Sequence, residues 1–261
     1  MILSSMCFEL DYKHIRETLI LIRMNEDRKY VAIHQPQFMP WMGYFEKWDR
    51  ADLFILLDDV QYKKNDFINR NRIRQKNNII WLTVPVSFHN KQRINEIRIV
   101  QDELWRDKII KSLYIIYRGR PYFNDYFPYI EGLLSKDWEY LSELNIEMLK
   151  LLASTLGIKT PLMLSSSIKV DTTKTERLID LLTNVNATDY LCGQGAKNYL
   201  KDELFQRIGL HWQEYKHPLY SQGLTPFISH LSVVDLIFNY GNKSLDIIRE
   251  GRAWREGNAK E

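Results

Sequence analysis

The sequence predicts an α/β fold: a layered sheet with helices on both faces and a more helical C-terminal half. Three observations predict it. Strand-like and helix-like segments alternate through most of the chain. The first of them form a compact strand–loop–helix–strand unit over residues 31–57. The apolar runs at strand positions are short and unbroken, as in strands buried on both faces. A chain of 261 residues, 45% hydrophobic and 26% charged, can bury a substantial core, which excludes a disordered chain, a fibrous repeat and a small disulfide scaffold.

Residues 1–29 read as an N-terminal extension. Within it, His14–Met24 suits a short amphipathic helix, and Met24, ahead of the polar run MNEDRKY, is a candidate natural start. Residues 30–261 read as one compact unit. Val31–His34 is a short strand, and Pro36 and Pro40 make the next segment a stiff loop, because proline fixes φ and restricts its predecessor. Trp41–Arg50 reads as a helix and Asp52–Leu57 as a second strand. Such a βαβ unit pairs its strands in parallel, and ligands bind outside the carboxyl ends of parallel strands. Those ends carry His34, Gln35, Asp58 and Asp59.

Residues 67–76, 79–86 and 94–100 read as further strands, the first two joined by a turn at Asn77-Asn78. Helical patterns follow over Asp102–Tyr117, Pro121–Leu134 and Trp138–Leu156, the last stopped by Gly157. Pro161–Leu164 is a strand, Lys174–Leu182 a helix, Asp189–Cys192 a strand, Leu200–Arg207 a helix and Leu210–Tyr215 a strand. Ser232 caps a last helix that Gly241 ends.

Composition narrows the function classes. A net charge of +3 does not indicate a nucleic-acid binder. No apolar run is long enough for a membrane span, and residues 1–23 lack the pattern of a secretory signal. Cys7 and Cys192 imply no disulfide framework, so a reducing cytoplasm is the expected location. Aromatic residues make up 13% of the chain, which suits ring-stacking pockets and ordinary cores alike.

The densest signal is His34-Gln35-Pro36-Gln37-Phe38-Met39-Pro40-Trp41-Met42-Gly43-Tyr44. It reads as a substrate- or phosphate-binding loop, with His34 as donor or general base and Gly43 allowing close backbone approach. The alternative is a proline- and tryptophan-stiffened turn with a structural histidine. Asp58-Asp59, followed by Gln61, can orient an amine or hold a divalent metal such as Mg²⁺, or else cap a turn and face water. Lys63, Lys64, Arg70, Arg72, Arg74 and Lys76 stand against one acid, Asp66. On a strand Arg70, Arg72, Arg74 and Lys76 share a face, suited to a nucleotide diphosphate or to a solvated edge. Asn69 and Asn71 alternate with the arginines. Gly193-Gln194-Gly195-Ala196-Lys197 after a strand can cradle phosphate, although it matches no nucleotide fingerprint and also reads as a plain turn. His217, Tyr220 and Gln222 lie on another stiff polar loop. The GxSxG, HExxH and CxxC signatures are absent.

These segments carry a family resemblance. IHQPQFMPWMGYF at 33–45, ADLFILLDDVQYKKNDFINRNRI at 51–73, WLTVPV at 81–86, RPYFNDYFP at 120–128, YLCGQGAKNYL at 190–200, HPLYSQ at 217–222 and LSVVDLIFNYG at 231–241 resemble the WbqC-like family of bacterial proteins. The resemblance spans about residues 30–245. Phe67 stands where tryptophan is common, and Tyr117-Arg118-Gly119-Arg120 departs from the usual Lys-Ala before Pro-Tyr-Phe. The layout also looks like Rossmann-like, nucleotidylyl-transferase-like folds, with Tyr44 in place of their diagnostic histidine. The resemblance implies a cytoplasmic transferase in surface-polysaccharide (O-antigen) biosynthesis that moves an acyl or aminoacyl group to the amino group of a nucleotide-linked amino sugar.

In that expectation His34, Asp58 and Asp59 are catalytic. Gln35, Trp41, Gly43, Tyr44, Gln61, Lys63, Asn69, Arg70, Arg72, Gly193, Gly195, Lys197, His217, Tyr220 and Gln222 contact a nucleotide sugar or a similar anionic substrate. ATP and Mg²⁺ enter if an amino acid is activated in the site. Other expectations are a metal-dependent glycosyltransferase with Asp58 and Asp59 on the ion, an adenylating ligase, and a non-catalytic nucleotide-sugar-binding or scaffold protein.

Overall fold

A computed structural model describes residues 28–102, 104–198 and 200–257. The expectations for residues 1–27 lie outside the described residues. Lys29 is tied to the segment before β8: its ammonium donates to the Val185 carbonyl at 2.7 Å, and its backbone N–H donates to Thr188 Oγ1 at 2.7 Å. Strand β8 is Asp189–Cys192, which lies beside the first strand of the βαβ unit in the main sheet.

The chain opens with β1 (Tyr30–His34), α1 (Met42–Arg50) and β2 (Leu53–Leu56), the predicted βαβ unit. Its strands pair in parallel, Val31 opposite Leu53 and His34 opposite Leu56. An antiparallel hairpin of β3 (Arg70–Gln75) and β4 (Asn78–Thr83) follows, then a second small pair, β5 (Val86–Ser87) with β6 (Arg98–Ile99). Three helices come next: α2 (Leu104–Tyr117), α3 (Phe123–Leu134) and α4 (Leu141–Leu156). The C-terminal part consists of β7 (Leu162–Leu164), α5 (Lys174–Asn184), β8, β9 (Gly209–Gln213), α6 (Val233–Tyr240), α7 (Ser244–Glu250) and β10 (Trp254–Glu256).

The main sheet has the order β10-β9-β8-β1-β2-β7, parallel except for the antiparallel edge strand β10. Strand side chains alternate between faces, and here each face has its own core. Ala32, Phe54, Leu56 and Leu191 pack with α1, α4, α6 and α7, whereas Val31, Ile33, Leu53, Ile55, Tyr190 and Cys192 pack with Leu178, Leu181 and Leu182 of α5. That two-faced burial is why these strands read as unbroken apolar runs, and it gives the Rossmann-like α/β architecture.

Helix ends follow local chemistry. Gly157 ends α4 at φ 81°, a left-handed conformation that glycine adopts without Cβ strain. Ser232 Oγ accepts from the Val234 N–H at the start of α6.

Four expectations need correction. The hairpin turn is Lys76-Asn77 rather than Asn77-Asn78, since Gln75 pairs with Asn78 and Lys76 takes φ 53°. The strand expected over 79–86 stops at Thr83, and β5 resumes against a different partner, β6. Residues 94–100 hold a 3-10 turn, Ile94–Glu96, before the two-residue β6, because their apolar residues turn inward without a full-length neighbour to pair with. The helix expected over Leu200–Arg207 is only a 3-10 turn at Asp202–Leu204, which buries none of its residues and so has no packed face to extend it.

Candidate active site at the carboxyl edge of the parallel sheet

The proline loop after β1 cannot join the sheet, because two of its residues lack an N–H. Its buried carbonyls are satisfied by two amides instead. Asn145 Nδ2 donates to the carbonyls of Pro36 (3.0 Å) and Ile68 (2.7 Å), and Asn71 Nδ2 to those of Phe38 (3.1 Å) and Met39 (2.8 Å). The backbone N–H of Val233 donates to the Pro40 carbonyl at 2.9 Å. The loop is thereby fixed to α4, the hairpin and α6 at once.

His34 ends β1, half-buried, with Nδ1 3.2 Å from the Gln35 carbonyl. The Tyr44 hydroxyl donates to the same carbonyl at 3.1 Å, and the two rings lie 4.5 Å apart. A carbonyl only accepts, so Nδ1 carries the proton and Nε2 keeps its lone pair. Burial holds the imidazole well below its usual range, the Lys47 ammonium pushes the same way, and the Gln35 contact opposes them. His34 is therefore neutral at pH 7, and Nε2 carries no proton.

Asp58 and Asp59 lie at the same sheet edge, just past β2. Asp58 Oδ1 accepts from the Ser166 N–H (3.0 Å), in the 3-10 turn after β7, and lies 3.1 Å from Ser165 Oγ, whose single proton points to the nearer Asp59. Asp59 accepts from Ser165 Oγ (2.6 Å) and forms an ion pair with Arg177 of α5 (2.5 Å). Both carboxylates thus already have protein donors, and they lock the ends of β2 and β7 together. Among the described residues no group of three or more His, Cys, Asp or Glu side chains is placed to hold a metal ion. Two carboxylates committed to serine, a backbone N–H and arginine do not fit a Mg²⁺ site as they stand.

On the other side of β1, Gly193 follows β8. A Cβ built there would meet only the Lys47 ammonium, at 3.4 Å, and one on Gly195 would meet nothing within 4 Å. Lys197 is exposed, its ammonium 5.7 Å from the Trp212 ring centroid. Gly43 serves Trp41: a Cβ would lie 2.4–2.8 Å from the indole, which folds back over the start of α1.

That indole anchors a ring cluster. The His230 ring stacks on Trp41 at 5.0 Å, and His217 lies 5.1 Å from His230 and 5.5 Å from Phe227. Arg72 Nε donates to the His230 carbonyl at 2.9 Å. Tyr220 and Phe227 continue the cluster into a cleft of about 490 Å³ formed by the 220–227 loop. The loop is braced from below: Gln222 accepts from Arg74 Nη1 at 2.9 Å and donates to the Ile228 carbonyl at 2.8 Å. Tyr220 and Tyr117 both donate to the buried Asp235 at 2.8 Å.

The basic stripe divides. Arg74 is 2% exposed and also binds the carbonyls of Leu224 and Pro226, so it is neither part of an open anion face nor a solvated edge. Arg70 lies over Trp81 at 4.4 Å and donates to the Asn65 carbonyl at 2.6 Å. Lys63, exposed, pairs with Asp66 at 3.6 Å, and Gln61 forms a bridge with Arg93. Asn69 accepts from the Tyr62 hydroxyl at 3.0 Å and donates to the Val84 carbonyl at 2.9 Å, holding the hairpin base. The structure therefore brings Trp41, Arg72, His217 and Tyr220 into one ring-lined region, and aligns His34, Asp58, Asp59 and Gly193 along one sheet edge.

The family model of the WbqC-like protein family matches residues 35–247, which takes in the proline loop, both sheet-edge carboxylates, the Gly193 turn and the ring cluster. The chain belongs to the WbqC-like protein family. This WbqC-like protein is also 33% identical, over 227 residues, to Uncharacterized protein Rv1507c of Mycobacterium tuberculosis (strain ATCC 25618 / H37Rv), an alignment covering 85% of this chain and 98% of the relative. No solved structure matches it significantly. Among the described residues no helix is long and apolar enough to cross a membrane.

Sequence reasoning missed four participants in this WbqC-like protein: Lys47, Ser165, Arg177 and His230. Lys47 left a trace, because Glu46-Lys47 sits between the aromatic residues Phe45 and Trp48. The other three meet their partners only through long-range folding.

Proposed function

We propose that this WbqC-like protein is a biosynthetic transferase that moves an activated acyl or aminoacyl group to the amino group of a nucleotide-linked amino sugar. The observation that carries the reading is His34, a neutral imidazole with its tautomer fixed at the carboxyl end of a parallel strand. An amine must shed a proton as it attacks an acyl carbon. In this reaction the nitrogen lone pair forms the new C–N bond, the donor's leaving group departs with its electron pair, and His34 Nε2 takes the amine proton. Asp58 and Asp59 position the sheet edge through Ser165 and Arg177. Trp41, His217, His230 and Arg72 supply stacking surface and charge for the substrate's flat and polar parts.

The test is incubation of the full chain with nucleotide-linked amino sugars and either acyl thioesters or an amino acid with ATP, with mass spectrometry for the N-acylated sugar. Amide product with wild-type protein, reduced about 10²–10⁴-fold in His34→Gln, is expected. Product accompanied by AMP release assigns the ligase variant of the reaction. A folded His34→Gln protein with near-normal turnover overturns the base assignment, and release of nucleoside diphosphate without amide formation overturns the transfer itself.

A further inference from the structure

The sheet order places β1 beside β8, and the chain leaves them in opposite directions: β1 leads to β2 on one side and β8 to β9 on the other. Open α/β sheets bind ligands at such a switch point, outside the carboxyl ends of the two strands. Lys47 of α1 sends its ammonium there. Nζ lies 3.5 Å from the carbonyl of Ile33, next to the end of β1, and faces Gly193, the first residue after β8.

Lys47 is 2% exposed, and its ammonium has no counter-charge among the described residues. Among the described residues no carboxylate lies within ion-pair distance of it, and its one hydrogen bond is the long one to Ile33. Glu46, its neighbour on α1, is fully buried but committed to Arg252, Trp254 and Gln213. Cys192 at the end of β8 is a thiol, pushed up to about 11 by burial, so it carries no charge at neutral pH. His34, on the β1 side, is neutral as well. An ammonium has three donors, and a buried charge without a partner is costly. Gly193 carries no side chain over Nζ, a Cβ there would touch nothing but Nζ, at 3.4 Å, and its backbone φ is not in the left-handed region that requires glycine.

We propose that Lys47 is the anchor for a phosphate group of the ligand, bound at the switch point between β1 and β8 against the bare Cα of Gly193. The assignment moves phosphate recognition from Arg70 and Lys63, which are occupied by Trp81, Asn65 and Asp66, to a residue on the opposite side of β1 from Asp58 and Asp59. It names the anionic part of the substrate in the transfer proposed above, but needs only binding, so it stands or falls independently of turnover.

Calorimetric titration of the full chain with inorganic pyrophosphate, UDP and ATP at pH 7 tests it. Binding of at least one of these probes to wild type is expected, weakened ten-fold or more in Lys47→Met. Gly193→Val keeps the charge but covers it, and the same loss is expected there. Binding of all three probes but not of glycine assigns phosphate rather than carboxylate. Binding of UDP and ATP without pyrophosphate still supports the site, provided both variants lose it. Wild-type affinity should also decline above pH 8, where Lys47 loses its proton. A folded Lys47→Met or Gly193→Val protein that binds like wild type overturns the proposal, and so does a wild type that binds none of the probes. Should Lys47→Met fail to fold, Gly193→Val decides by the same criterion.

Discussion

At His34 the carbonyl of Gln35 accepts a hydrogen bond from Nδ1–H and burial keeps the ring uncharged, so two neighbouring features set both tautomer and charge. Because its folded pKa lies well below 6.5, kcat/KM should fall more steeply below pH 6.5, where imidazole protonation adds to protonation of the substrate amine. A profile that does not steepen there would point to another base. Lys47 gives a second titration. Burial lowers its pKa from 10.5 to about 8, against small opposing effects of Cys192 and Glu46. Below pH 8 both folded and unfolded chains hold this proton, and stability is independent of it. Between pH 8 and 10.5 only the unfolded chain holds it, so stability rises with pH, by on the order of 3 kcal/mol across the window. The difference in unfolding free energy between Lys47→Met and wild type should therefore favour the variant below pH 8 and shrink towards pH 10.5. Chemical denaturation at several pH values measures it, and a difference that does not move with pH contradicts the assigned burial.

The proline loop is an element without regular hydrogen bonding, and two asparagines stand in for the missing ladder. Asn71→Ala or Asn145→Ala leaves two buried carbonyls each without a donor. Either should cost roughly 1–3 kcal/mol, read by urea denaturation, and should reduce turnover by displacing His34 and Trp41. At the start of α1, Gly43→Ala puts a methyl group within 2.4–2.8 Å of the Trp41 indole. The ring must swing away from His230, which a change in tryptophan fluorescence would report. An unchanged spectrum would mean that the ring cluster tolerates the methyl group by shifting elsewhere.

Across the whole molecule, the C-terminal segment closes the sheet over α1. Arg252 pairs with the fully buried Glu46 at 2.8 Å and with Asp49 at 2.5 Å, and Trp254 Nε1 donates to Glu46 at 3.0 Å from the edge strand β10. Arg252→Ala removes the counter-charge of a buried carboxylate and should cost about 3 kcal/mol, measured as a lower urea midpoint. An effect below about 0.5 kcal/mol would assign that balance to Trp254 and Gln213 alone. Because α1 also carries Tyr44 and Lys47, this tie couples the far end of the chain to the candidate site.

The main-sheet strands and the long helices were legible in the sequence because their signals are local: unbroken apolar runs, helical periodicity, a proline pair, a glycine stop. The sheet edge bearing His34, Asp58 and Asp59 was legible for the same reason, since a βαβ unit fixes strand direction. What the side chains do there was not. Asp58 and Asp59 meet Ser165 and Arg177 from more than a hundred residues away. Arg74, on the same strand as Arg70 and Arg72, is buried only because the 220–230 segment folds over it. Lys47 gains its place at the switch point from the pairing of β1 with β8. The sequence by itself determined the main-sheet strands, the long helices and the family. Tertiary structure decided which charges are paired, buried or left open, because burial and pairing depend on neighbours that chain order does not specify.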